Sequence, residues 1–390
     1  MNLDFVDELV EEEINEEDNS TEDSKLERYQ INSFQQDKPV ETLIKWLRNG
    51  KLILPTFQRD YVWSFSNSCR LIESVLLNLP IPNIFLFKVK NPEGEKFLLI
   101  DGLQRMTTIE QYIDGTWSQG EKKRTFKISS PNENWDRKTF DDLDEDDQQF
   151  IYDYSIGTTI FETSSGSKVD ENNVIFSVFE RINTGSEKLS DQEIRNAIYN
   201  GECLAELKDL SNNPNYQILI RNDNNIIKRG KHIELLLRFI AYYHIYKAAV
   251  EDNRCLVDGD IESKITTSKK IMLNNYLYFS NCNKIDYKNE INELIEAINI
   301  ISQFDDSAFY SKLRDSDEIG KKVHELFAEA LVIAVILNDY KIDIEKEDFI
   351  SEKIQLWNDE QRLEFFKSKT TDPNTVKERV KILLDIIRGM

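Results

Sequence analysis

Apolar residues in the first half recur with two different periods. Val40, Leu43, Ile44 and Leu47 sit at helical spacing, and Asn49-Gly50 follows as a stop. Leu52 to Phe57 then reads as an extended segment interrupted by Pro55. Ser66 to Asn78 carries Leu71 and Val75 on one side, with Leu79 just beyond, and predicts a second helix closed by Pro80-Ile81-Pro82. Ile84 to Val89 and Phe97 to Ile100 predict strands joined by the turn Asn91-Pro92-Glu93-Gly94, and a helix follows from about Gln104 to Ile113.

Beyond residue 170 the strand pattern fades. Val174 to Phe179 is an apolar helix, and Ser190-Asp191-Gln192-Glu193 is a capping box that opens another, ending near Tyr199. Further helices are expected over 231–249, 288–304, 321–338 and 373–388. The expected architecture is α+β: a mixed α/β domain over 29–188, then a mostly helical half over 189–390.

Residues 1–28 stand apart. Residues 1–24 hold eleven acidic residues and no basic one, and self-repulsion keeps such a tail from packing. The chain as a whole has 390 residues and a net charge of -22. A field of that sign does not attract DNA or anionic membrane. The basic clusters Lys122-Lys123-Arg124 and Lys228-Arg229-Gly230-Lys231 accordingly read as solvated loops. Four scattered cysteines and three histidines argue against a zinc site and fit a reducing, cytoplasmic compartment. Leu326 to Leu337 is too short to span a bilayer and includes Glu329; it predicts a buried helix.

Three segments offer chemistry. In Ile100-Asp101-Gly102-Leu103-Gln104-Arg105 an apolar strand runs into Asp-Gly and straight into a helix. Glycine permits the sharp turn, and the unpaired amides of a first helical turn suit a phosphate. Arg105 adds a fork of donors, Thr107 or Thr108 a hydroxyl, and Asp101 a carboxylate for magnesium or a sugar hydroxyl. Asp101 read blandly is a helix cap. Pro55 to Trp63 sets Gln58 and Arg59 among aromatics, an arrangement that stacks a base or roofs a core. Arg181-Ile182-Asn183-Thr184-Gly185 ends an apolar helix and reads either as a C-cap or as a polar wall of the same pocket.

Taken in order, Pro-Thr-Phe-Gln-Arg-Asp-Tyr-Val-Trp, Asp-Gly-Leu-Gln-Arg and Phe-Glu-Arg-Ile-Asn-Thr-Gly resemble the GmrSD restriction endonuclease N-terminal domain family. The resemblance spans about residues 35 to 250; Leu103 stands where that family usually has glutamine. It implies a ParB- or sulfiredoxin-like fold and nucleoside triphosphate binding, with hydrolysis, in a bacterial anti-phage system. Carried onto this chain, the catalytic residues would be Asp101, Gln104 and Arg105, with Asp101 as the magnesium ligand. The nucleotide would meet Gln58, Arg59, Gly102, Arg105, Thr107, Thr108, Arg181, Asn183 and Thr184. The HNH nuclease that often accompanies such a domain needs histidines, and after residue 250 only His324 is present. A nuclease or other defence protein acting in trans is therefore expected as a partner. Two other readings stay open: a DNA-binding or nicking protein, and a non-catalytic scaffold or regulatory module.

Overall fold

The computed structural model describes residues 31–54, 61–89, 94–163, 168–182, 190–221, 226–227, 230–251, 269–312, 319–367 and 372–390. Residues 28–198 form one compact unit and residues 199–390 belong to another. The acidic tail, Gln58, Arg59, most of the Asn91–Gly94 turn, Asn183, Thr184 and Gly185 lie outside the described residues.

The first unit is built on a five-stranded mixed sheet. Its strands are β1 (Ile31–Gln35), β3 (Leu52–Ile53), β4 (Ile84–Val89), β5 (Lys96–Asp101) and β9 (Thr158–Thr163). Their order across the sheet is β1-β9-β4-β5-β3. β4 runs antiparallel to β5 and parallel to β9, while β3 pairs in parallel with β5. Short pairs complete the strands: β2 (Lys38–Pro39) with β8 (Ser155–Ile156), and β6 (Thr116–Gln119) with β7 (Lys122–Thr125).

Strand alternation sorts the side chains onto two faces. Ile84, Leu86, Phe97, Leu99 and Ile160 share one core with Val40, Leu43, Ile72, Val75, Met106 and Ile109, from helices Val40–Arg48, Phe65–Leu76 and Leu103–Ile113. Phe87, Leu98 and Ile100 share another with Ile175, Phe176 and Phe179 of helix Lys168–Ile182 and Ile194 of helix Asp191–Ile198. The sheet is therefore covered on both sides, which explains why β4 and β5 read as near-continuous apolar runs.

The capping box closes as its sequence requires. Glu193 Oε2 accepts from the Ser190 amide at 2.6 Å, and Ser190 Oγ accepts from the Glu193 amide at 3.2 Å. Helix Asp191–Ile198 belongs to the first unit.

The second unit is mostly helical. Helices Lys231–Glu251, Tyr287–Phe304 and Pro373–Arg388 correspond to expected segments. One expectation is corrected: the helix placed at 321–338 begins at Glu325, because Ile319–Val323 pairs as a strand with Tyr310–Lys312. His324 is consequently the N-cap of that helix rather than a residue within it, and its Nδ1 accepts from the Phe327 amide. Leu326 to Ile336 is buried throughout, and Glu329 finds its counter-charge in the buried Arg238. Other buried charges are likewise matched. Glu290 accepts from Tyr276 and meets His244 Nδ1, each at 2.7 Å, and Lys353 donates to the carbonyls of Ser307 and Ala308. Among the described residues no helix is long and apolar enough to cross a membrane.

Candidate functional site

β5 ends where alternation would otherwise drive another side chain into the core. Gly102 turns the chain with φ +104°, a left-handed value that L side chains rarely adopt. A Cβ at this position would lie 2.5 Å from Ile84 Cγ2, so the backbone approaches β4 more closely than any other residue allows. Gly102 is also the N-cap of helix Leu103–Ile113, and no side chain caps that helix. Asp101 thus does not have the capping role that its position suggested.

Asp101 is instead held by Arg105, whose Nη2 donates to its Oδ2 at 2.9 Å. The same Nη2 donates to the Asn83 carbonyl at 3.0 Å, tying the turn to the Pro80-Ile81-Pro82-Asn83 loop. That loop is fixed from its other end, where Tyr154 donates to the Leu79 carbonyl at 2.6 Å. The Arg105 side chain is 13% exposed and that of Asp101 36%, so the carboxylate is the member of the pair that meets solvent. Arg105 Nε is buried without a hydrogen-bond partner. No group of three His, Cys, Asp or Glu able to hold a metal occurs among the described residues. A magnesium ion here would have Asp101 as its protein carboxylate and take its remaining oxygens from phosphate and water.

Gln104 points elsewhere. Its Oε1 accepts from the backbone amides of Val62 and Trp63 at 3.2 and 3.3 Å. From the other side Gln119 Nε2 donates to the Val62 carbonyl at 2.9 Å. Two glutamines therefore hold one extended peptide, and the Pro55-to-Trp63 motif is joined to the Asp-Gly turn through its final residues. Beneath them the Tyr61 hydroxyl lies 2.6 Å from Ser68 Oγ and also contacts Thr108 Oγ1. Thr108 donates to the Gln104 carbonyl at 2.6 Å, and Trp117 Nε1 donates to Ser68 Oγ at 3.0 Å. Burial pushes the Tyr61 phenol above its ordinary range, so it remains a neutral member of this network.

The predicted site residues therefore divide by position. Asp101, Gly102 and Arg105 come together at the head of the helix, with Thr107 half-buried one turn on. Thr108 is fully buried and supports Tyr61; Gln104 secures Val62 and Trp63. Arg181 is exposed in the last turn of helix Lys168–Ile182, which packs on the opposite face of the sheet from helix Leu103–Ile113. Asn83 and Gln119 were not anticipated. Asn83 acts through its carbonyl, which any residue possesses, so its identity held no signal. Gln119 could have been suspected only from a hairpin register that no periodicity reveals.

Residues 40–200 match the family described as the GmrSD restriction endonuclease, N-terminal domain. That stretch of the chain is similar to the GmrSD N-terminal domain. The match contains the sheet from β3 to β9, the Asp101-Gly102 turn and both helices of the second face. It ties this part of the molecule to restriction-type defence. No curated protein matches the chain.

Proposed function

We propose that the GmrSD-like domain of this protein binds a nucleoside triphosphate at the Asp101-to-Arg105 turn and hydrolyses it as part of an antiviral restriction system. The observation that carries this reading is the helix opening at Gly102, whose first-turn amides have no side-chain cap while Arg105 and Asp101 lie beside them. Phosphate oxygens would take those amides and the Arg105 guanidinium, a site where hydrogen bonds are charge-assisted. Asp101, the more exposed member of its pair with Arg105, would hold magnesium or orient water near the terminal phosphate. Thr107 would add a hydroxyl from the same helix. Gln58, Arg59 and Thr184 are proposed to close the pocket around the nucleoside and the remaining phosphates, and Arg181 and Asn183 to complete it from the far side. Gln104 is assigned a positioning role, because its carbonyl oxygen is already engaged by Val62 and Trp63.

A panel of ATP, GTP and their diphosphates, with and without magnesium, tests binding through the melting temperature, since a ligand of the folded state stabilises it by mass action. Phosphate release on the same samples tests hydrolysis. A nucleotide-dependent rise that Arg105→Lys diminishes is the expected result. The competing reading is a purely structural turn, which the bonds of Arg105 to Asp101 and Asn83 favour. It is selected if no nucleotide moves the melting temperature.

A further inference from the structure

We propose that the tip of the β6–β7 hairpin contacts the phosphate backbone of duplex DNA. The proposal rests on the restriction-type reading and adds to it a surface that the nucleotide site does not include. Lys122-Lys123-Arg124, which reads as a loop in sequence, is a β-strand exposed along its whole length.

Three observations single out this strand. First, several surface cations elsewhere are paired, as in Arg48 with Asp114, Lys88 with Glu95 and Lys346 with Asp305. Lys122, Lys123 and Arg124 make no ion pair among the described residues. In a chain of net charge -22, three adjacent cations with no ion pair form a local positive projection. Second, the register pairs Lys122 with Gln119 and Lys123 with Ser118, so the two lysines leave opposite faces of the ribbon. A two-stranded ribbon fits the major groove, and lysines on both faces would reach the phosphates along its two walls. Third, the hairpin is mounted firmly. Gln111 exchanges hydrogen bonds with the Ser118 backbone at 3.1 Å, and Gln119 grips Val62. The Arg124 guanidinium lies 3.2 Å over the Phe65 ring. Little conformational freedom remains in the ribbon to be lost on binding.

Net repulsion from the rest of the chain makes such binding weak and strongly dependent on salt. Each phosphate contact contributes about 0.9 to the slope of log affinity against log salt. The test measures binding of the full chain to a fluorescent mixed-sequence duplex across a salt series. Lys122→Ala/Lys123→Ala should lower that slope by about 2 and weaken binding at least tenfold at low salt. The nucleotide-induced melting shift of this variant should equal that of the parent, which separates failure of this surface from failure of the nucleotide reading. Lys341→Ala/Lys381→Ala removes the same charge from exposed positions in the other unit and should leave the slope unchanged. The proposal is overturned by a parent-like slope in the hairpin variant, by an equal loss in the control, or by a parent chain that binds anionic vesicles but not duplex.

Discussion

Asp101 and Arg105 are joined at 2.9 Å across one turn of the helix that opens at Gly102, and Arg105 also holds the Asn83 carbonyl. One guanidinium thus connects the end of β5 to the loop that begins β4. Hydrogen bonds to charged groups contribute about 1.5–3 kcal/mol. Arg105→Ala should therefore lower stability by a similar amount and weaken nucleotide binding about tenfold or more. Arg105→Lys keeps the charge without the fork, and it should recover more stability than affinity. Chemical denaturation alongside a binding titration checks both; affinity unchanged in a folded Arg105→Ala protein would remove the site.

Gly102→Ala meets two obstacles, the φ of +104° and the Ile84 side chain 2.5 Å from the new Cβ. Backbone strain of this kind costs about 1–3 kcal/mol before any steric clash is added. A pronounced fall in the denaturation midpoint is expected, eased partly by Ile84→Ala in the double variant. An unperturbed Gly102→Ala protein would mean that the turn can adopt another conformation.

Gln104→Ala removes the acceptor for two backbone amides. A loss of about 1 to 2 kcal/mol is expected. Hydrogen exchange should quicken at Val62 and Trp63 while the sheet core keeps its protection. Equal protection of both amides in parent and variant would show that the clamp contributes nothing.

Burial, aided by the nearby Lys353 charge, holds His324 down to about 4, against an ordinary value of about 6.5. Between these values the unfolded chain takes up a proton that the folded chain refuses. Stability is therefore complete above pH 6.5 and declines as acid is added towards pH 4. The contribution approaches about 1.4 kcal/mol per pH unit at its steepest. His324→Asn retains an N-cap acceptor without titrating in this window, so its stability should fall less between pH 6.5 and 5. Parallel pH profiles of parent and variant would exclude His324 as the source.

Much of the first unit was legible because its signals are local. Helical spacing from Val40, the stop at Asn49-Gly50, the capping box at Ser190 and the Asp101-Gly102 turn each depend on a few neighbouring residues. What could not be read depends on distant ones. The Asp101 carboxylate looked like a cap, yet its partner is set by the reach of Arg105. Gln104 looked chemical until its position relative to Val62, forty-two residues away, became known. Lys122 to Arg124 gave no alternating apolar signal, since only the β6 side of that hairpin buries a large side chain, Trp117. The strand before Glu325 was hidden because it is short and lies next to a strongly apolar helix.

The strand order has a consequence for synthesis. β1 ends at Gln35, but its neighbour β9 begins only at Thr158, and β9 is also the parallel partner of β4. Until the ribosome has delivered that late segment, β1 has no strand to join and one edge of β4 stays open. Such long-range closure is slow, and unpaired edges invite association between nascent chains. A chain stalled or truncated between Arg105 and Thr158 would carry the complete Asp101-to-Arg105 turn on an unclosed sheet, and it should be a substrate for chaperones and proteases rather than a smaller working domain.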